Sequence, residues 1–163
     1  MKAVFFAAVL LGCQRVALSS PPDDRSGEPS GPQTGLPVGE VVIVSRAGST
    51  PLTVEVAADD HSREVGLMFR RQVPSGSGML FAFPASSVHS FWMKNTLVPL
   101  DMIFVGADLR IAGIVENAAP LTLISRRVAA PSQYVLEVAG GTAFAHGWQT
   151  GDRLELHGIP PAR

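Results

Sequence analysis

Between Ser90 and Phe104 the sequence reads SFWMKNTLVPLDMIF, an apolar run interrupted by a lysine, an asparagine and an aspartate beside a tryptophan. If Val88 to Met93 is a strand, Phe91 and Met93 share one face while Trp92 and Lys94 share the other. Asn95 and Thr96 are turn formers, and Pro99 biases Val98 toward extended geometry. The chain should therefore return into a strand beginning near Asp101. Lys94, Asn95 and Asp101 would then converge on one rim with Trp92 as a wall, and Arg70, leaving "GLMFR", is a fifth candidate. A cation, an amide, a carboxylate and a flat ring suit a sugar or small-anion site, in which few polar groups fix orientation while the ring stacks. The same residues have a plainer use. A surface Lys94–Asp101 ion pair is worth only about 0–1 kcal/mol, Asn95 can simply close a turn, and Trp92 can simply be core.

Other chemistries find less support. Met68, Met79, Met93 and Met102 carry thioethers suited to copper(I). Each lies in an apolar run without forming a Met-rich tract, so core packing is expected and no metal or other cofactor is assigned. His61, His89, His146 and His157 lack zinc-ligand spacing. His89 and Ser90 are adjacent, which on a strand sends them to opposite faces and argues against a Ser–His pair. No nucleophile elbow, phosphate loop or dinucleotide fingerprint occurs, and no catalytic residue is assigned. Glu116, Glu137 and Asp152 are the carboxylates available for a glycosidase-like pair. Of these, Glu137 in "VLEV" is expected to face solvent and Asp152 to occupy a turn.

The elements that must position these residues read as short strands. Val41–Val44 and Leu52–Ala57 flank a turn containing Gly48, with Leu52, Val54 and Val56 facing the core. Asp59 or Asp60 offers an N-cap to a short helix through Val65, and Gly66 suits the position after its end. Met79–Phe83, halted by Pro84, then Val88–Met93, Leu100–Val105, Ile111–Glu116, Tyr134–Val138 and Arg153–Leu156 complete the strands. Leu100–Val105 and Ile111–Glu116 should pair across "GADL", and Ala143–His146 forms a helical turn capped by Gly147. The pattern predicts a mainly β domain, a compact antiparallel sandwich or barrel-like fold with one or two short helices.

Several separated segments carry a resemblance: "REVGLMFR", "GMLF", "FWMKNTLVPLDMIF", "YVLEVAGG" and "GWQTGDRLEL", in that order. Together they resemble the domain of unknown function 192 family, a group of small, often exported prokaryotic proteins, over essentially the whole chain after residue 39. The resemblance implies a mainly β, sandwich-like domain and no particular reaction. Asp108-Leu109 stands where the family usually has an Asp-Gly turn.

The 163-residue chain has a formal net charge of −1, and no basic stripe that would neutralise phosphates, so a nucleic-acid partner is not expected. Met1-Lys2 followed by the apolar Ala3–Leu11 reads as a signal peptide, residues 1–12. Nine apolar residues are too few to span a bilayer, which takes roughly 20. Leu10-Leu11-Gly12-Cys13 resembles a bacterial lipobox and contains the chain's one cysteine, which makes Cys13 the candidate lipid attachment site and the membrane a partner. Gln14 after it favours, by analogy, the outer membrane facing the periplasm. The alternative is an ordinary signal peptide cleaved near Ser19. Residues 19–39, rich in Pro, Ser and Gly, are expected to stay disordered and to span about 25 Å, so that 13–39 forms a lipid-anchored tether, with the single domain at 40–159. The functional expectation is a non-catalytic envelope module binding a small polar ligand, such as a saccharide, or a protein partner. The rival is a glycan hydrolase using Asp101 and a second carboxylate, and a purely structural role is a third reading.

Overall fold

The computed structural model describes residues 28–163; the expected signal peptide, the candidate lipid site Cys13 and the first part of the expected tether lie outside them. Seven strands and two short helices follow in chain order: β1 (Val38–Ser45), β2 (Gly48–Ala57), α1 (Asp60–Val65), β3 (Ser77–Ser87), β4 (Leu100–Val105), β5 (Ile111–Ala118), β6 (Ser132–Ala139), α2 (Thr142–His146) and β7 (Arg153–His157). The strands form one sheet in the order β5-β4-β6-β3-β2-β1-β7. All pairs are antiparallel except β2–β3, which run parallel and are joined by the crossover that holds α1. The mainly β reading therefore holds, in a mixed sheet.

The sheet curls into a half-barrel whose outer strands touch at one corner. Ile111 N–H donates to the Asp152 carbonyl at 2.8 Å, and Leu154 N–H donates to the Leu109 carbonyl at 2.7 Å. Inside the curl, Val41, Ile43, Leu52, Val54, Val56, Leu80, Ile103, Leu136 and Leu154 pack with Ala143 of α2 and Trp148. A second core covers the opposite face of β3, β4 and β6 and contains Leu67, Met79, Phe81, Met93, Met102, Phe104 and Val135. Strand β4 lies between the two cores, so all six of its residues are buried. All four methionines singled out above are buried, as core side chains should be.

Helix α1 starts as its sequence dictates. The Asp59 carboxylate accepts from Ser62 N–H at 2.9 Å while the Ser62 hydroxyl faces the Asp59 N–H at 3.2 Å, a reciprocal cap. It ends at Gly66, φ 48°, where an added Cβ would meet the Phe81 ring at 3.0 Å. Glycine there permits both the turn and the close approach of the segment that follows.

Three expectations are corrected. Val88–Met93 is not a strand: only Phe91 forms a bridge, to Arg126. This segment crosses over the sheet instead of joining it, and its backbone bonds are met by another loop, as in Met93 N–H to the Thr122 carbonyl at 2.9 Å. Strand β3 continues past Pro84 to Ser87, because the register with β6 shifts between Ala82 and Ser87, and an irregularity of that kind tolerates proline. The folded unit also begins before Glu40. Val38 and Gly39 pair with Glu55 and Val54, Pro37 accepts from Val56 N–H at 2.8 Å, and the Gln33 amide donates to the Ser62 and Gly66 carbonyls at 3.0 and 2.8 Å.

Candidate functional site

The second core is open on one side. Between α1 and the segment 88–96 lies a cleft of about 370 Å³, walled by Phe81, Phe91 and Trp92, with Arg63 and Lys94 among its lining side chains. Glu137 of β6 also lines it. Opposite Glu137 in register stand Met79 on β3 and Met102 on β4, so its neighbours within the sheet are thioethers. Glu137 is 4% exposed, and among the described residues no hydrogen bond or ion pair reaches its carboxyl. Burial raises its pKa to about 8, so the group is mostly a neutral acid at pH 7. A buried polar group without a partner costs about 1–3 kcal/mol. The domain holds such a group where a cleft gives it access to an incoming molecule.

The expectation that Glu137 faces solvent is thereby overturned. Alternation along "YVLEV" suggests one buried and one wet face, but β6 is central in the sheet and covered on both faces. The available signal was a single acid inside an otherwise apolar run, which also suits a strand buried on both faces.

The five residues expected to share one rim are divided among different places. Trp92 and Lys94 do meet, with Nζ 5.6 Å from the indole centroid, and both line the cleft. Trp92 is 49% exposed. Lys94 also pairs with Glu28. Asn95 adopts φ 54°, its carbonyl accepts from Phe69 N–H at 2.7 Å, and its amide approaches the Met68 sulfur at 3.8 Å. It fixes the corner, as the plainer reading had it. Arg70 lies outside the cleft lining, where its guanidinium donates to Glu55 at 2.9 Å and to the Gln33 carbonyl at 3.0 Å.

Asp101 is fully buried and points away from the cleft. It alternates with Met102, which packs in the core under the cleft. Its Oδ1 accepts from Asn117 N–H at 2.7 Å and Gly141 N–H at 3.0 Å, and its Oδ2 from Ala143 N–H at 2.8 Å. Asp101 therefore ties the end of β5 and the start of α2 to β4. It forms no ion pair with Lys94.

Arg63 and His89, also in the lining, are engaged. Arg63 donates to the Ala82 carbonyl, Asp60 and the Arg163 carbonyl at 2.8, 2.7 and 2.9 Å, and its guanidinium lies 5.3 Å from the Phe83 centroid. His89 stacks on Phe83 at 3.5 Å, and desolvation holds its pKa below the ordinary histidine value. Ser90 Oγ meets Ser125 Oγ at 2.6 Å, away from any pairing with His89. Among the described residues no group of three or more His, Cys, Asp or Glu side chains could hold a metal. The sulfurs of Met79 and Met68 face the amides of Gln33 and Asn95.

Comparison with known proteins agrees with this architecture. The model of the DUF192 family, described as "Uncharacterized ACR", matches residues 42–156. A crystal structure from Sinorhizobium meliloti 1021, named a "putative transcription regulator", is similar at 41% identity and a TM-score of 0.74, covering 78% of this chain and 99% of that one. A crystal structure of a protein of unknown function from Novosphingobium aromaticivorans DSM 12444 is similar at 33% identity and a TM-score of 0.73, covering 84% and 99%. No curated protein matches the chain.

Proposed function

The chain belongs to the DUF192 family, and from that premise we propose that it is a non-catalytic binding module of the cell envelope that holds a small ligand in the Glu137 cleft. The observation that carries the reading is a buried carboxyl without a partner among the described residues, at a cleft with aromatic walls. Its volume falls in the range of small-molecule pockets, about 300–1,000 Å³. The envelope assignment rests on Leu10-Leu11-Gly12-Cys13, with Cys13 as the lipid-bearing residue. Recovery of Cys13→Ser in the soluble envelope fraction, with wild type in the membrane fraction, supports it. Acyl-free wild type beginning after Ser19 overturns it.

A saccharide finds a stacking face in Trp92, but the inner cleft offers one carboxyl where a sugar presents several hydroxyls. A glycan hydrolase built on Asp101 has less support, because both oxygens of that carboxylate are taken by backbone amides. A DNA-binding role, suggested by the name of the S. meliloti relative, gains no support from a formal net charge of −1 and a sequence without a basic stripe.

The test is a thermal-shift screen of wild type and Trp92→Ala against sugars, amines and small carboxylic acids. A ligand present at 100 times its Kd should stabilise the native state by about 2.7 kcal/mol. A compound that raises Tm for wild type and raises it less for Trp92→Ala supports the reading. Equal shifts in both proteins, or no shift with any compound, overturn it.

A further inference from the structure

Resting on that binding reading, we propose that the ligand of the cleft carries an ammonium group on a short apolar stem, with the ammonium seated against Glu137. The inner cleft presents one carboxyl, and among the described residues no cation answers it. The two basic side chains in the lining are already occupied: Arg63 by Asp60 and two carbonyls, and Lys94 by Glu28. The other titratable groups facing the cleft are Asp60 and Glu64 of α1 and His89 of the covering segment. The sheet neighbours of Glu137 are the uncharged Met79 and Met102. With Glu137 protonated the lining is balanced, Asp60 and Glu64 against Arg63 and Lys94, with a histidine held toward neutrality. The one charge to be gained is that of Glu137 itself, and a positive guest is what would draw it out.

The walls point the same way. Phe91 stands edge-on to Phe81, with centroids 5.0 Å apart at 88°, and Trp92 lies at the open side with half its surface in solvent. The face of an aromatic ring attracts a cation by its quadrupole, by about 0.5–2 kcal/mol depending on desolvation. This cleft already uses that attraction twice, in Arg63 over Phe83 at 5.3 Å and Lys94 over Trp92 at 5.6 Å. An anion could accept the one hydrogen bond of the protonated acid but would meet aromatic faces that repel it. A neutral alcohol could take one hydrogen bond from the acid and gain nothing from charge. An ammonium gains from both, because it converts the uncharged acid into an ion pair and displaces its proton. No covalent step is involved: the proton leaves Glu137 for solvent and the ligand's charge replaces it.

The experiment is isothermal titration calorimetry of the purified chain with n-butylammonium, tetramethylammonium, n-butanol and butyrate at pH 7. It is repeated in two buffers of different ionisation enthalpy to count protons. The expected result is at least tenfold tighter binding of n-butylammonium than of n-butanol, with close to one proton released. In Glu137→Gln the amine should fall to the level of the alcohol and the proton release should vanish. Equal binding of amine and alcohol to wild type overturns the ammonium assignment while leaving a ligand cleft in place. Tighter binding of butyrate overturns it as well. Absence of binding by all four compounds, together with a failed thermal-shift screen, removes both readings. Because proton release is measured on wild type, the proposal remains testable even if Glu137→Gln folds poorly.

Discussion

Glu137 stands directly opposite Met102 across the β4–β6 pair, so a carboxyl and a thioether share one patch of the sheet, and only 4% of the glutamate reaches solvent through the cleft. The acid consequently prefers its proton in the folded state. Its pKa is about 8 there, against 4.5 for the free group. Between those values the folded state binds the extra proton, so stability is greatest below about pH 4.5 and is lost as pH rises toward 8. The maximum slope for one group is about 1.4 kcal/mol per pH unit. His89 has the opposite sign: its lowered pKa adds stability as pH rises through the range just below 6.5. Denaturant melts of wild type and Glu137→Gln from pH 5 to 8 isolate the first effect, since His89 is common to both. The difference should move steadily in favour of the glutamine variant with increasing pH. A constant difference would show that Glu137 is ionised throughout.

Asp101 should behave as a structural residue. Asp101→Ala leaves the N–H groups of Asn117, Gly141 and Ala143 without their acceptor, at a cost of about 3 kcal/mol or more. Urea unfolding checks this. A loss below about 1 kcal/mol would mean that α2 and the end of β5 find other partners.

Trp92 and Lys94 should behave in the opposite way. Both are at least partly solvated, so Lys94→Ala should change unfolding free energy by no more than about 0.5 kcal/mol. Trp92→Ala should likewise keep the fold while lowering affinity for any cleft ligand. A large drop in Tm for Lys94→Ala would show that its pair with Glu28 contributes to folding.

The amino-terminal boundary gives another measurable outcome. A chain beginning at Glu40 lacks Gln33, Pro37, Val38 and Gly39, and with them the strand pairs and side-chain bonds they make. It should melt well below a chain beginning at Glu28, because each lost kcal/mol lowers Tm by about 3–6 °C for a domain of this size. Equal melting temperatures would show that these contacts contribute nothing net.

Leu109 occupies φ 60° in the β4–β5 turn, a conformation that costs an L-residue about 1–2 kcal/mol. Leu109→Gly should therefore melt at or above wild type, and Leu109→Val below it, because β-branching worsens the strain. A fall of several degrees for the glycine variant would show that packing of the leucine side chain outweighs its backbone cost.

Where the local code is strong, the sequence is readable. The cap at Asp59, the positive φ at Gly66, the β4–β5 hairpin and the alternation of Leu52, Val54 and Val56 all appear as the residue types demand. What escapes is set by what lies over each face. Val88–Met93 has the composition of a strand, but no free sheet edge is available to it where it passes. Glu137 reads as solvent-facing and Asp101 as a rim residue beyond the Pro99 return, yet both lie on strands covered on both sides. Their roles were exchanged as a result: the acid expected in solvent is in the cleft, and the acid expected at the rim holds the fold together.

The pairing of β1 with β7 sets Glu40 opposite His157, so the first and last strands of the sheet are hydrogen-bonded neighbours running in opposite directions. The entrance to β1 and the exit from β7 therefore lie side by side. A short linker between them would make the order of segments cyclic, and new ends could be opened at the exposed β1–β2 turn around Arg46 and Ala47. Such a circular permutant should retain the sheet order. By the same geometry the unit can be inserted into a surface loop of a host protein, whose chain would enter and leave at nearly the same point.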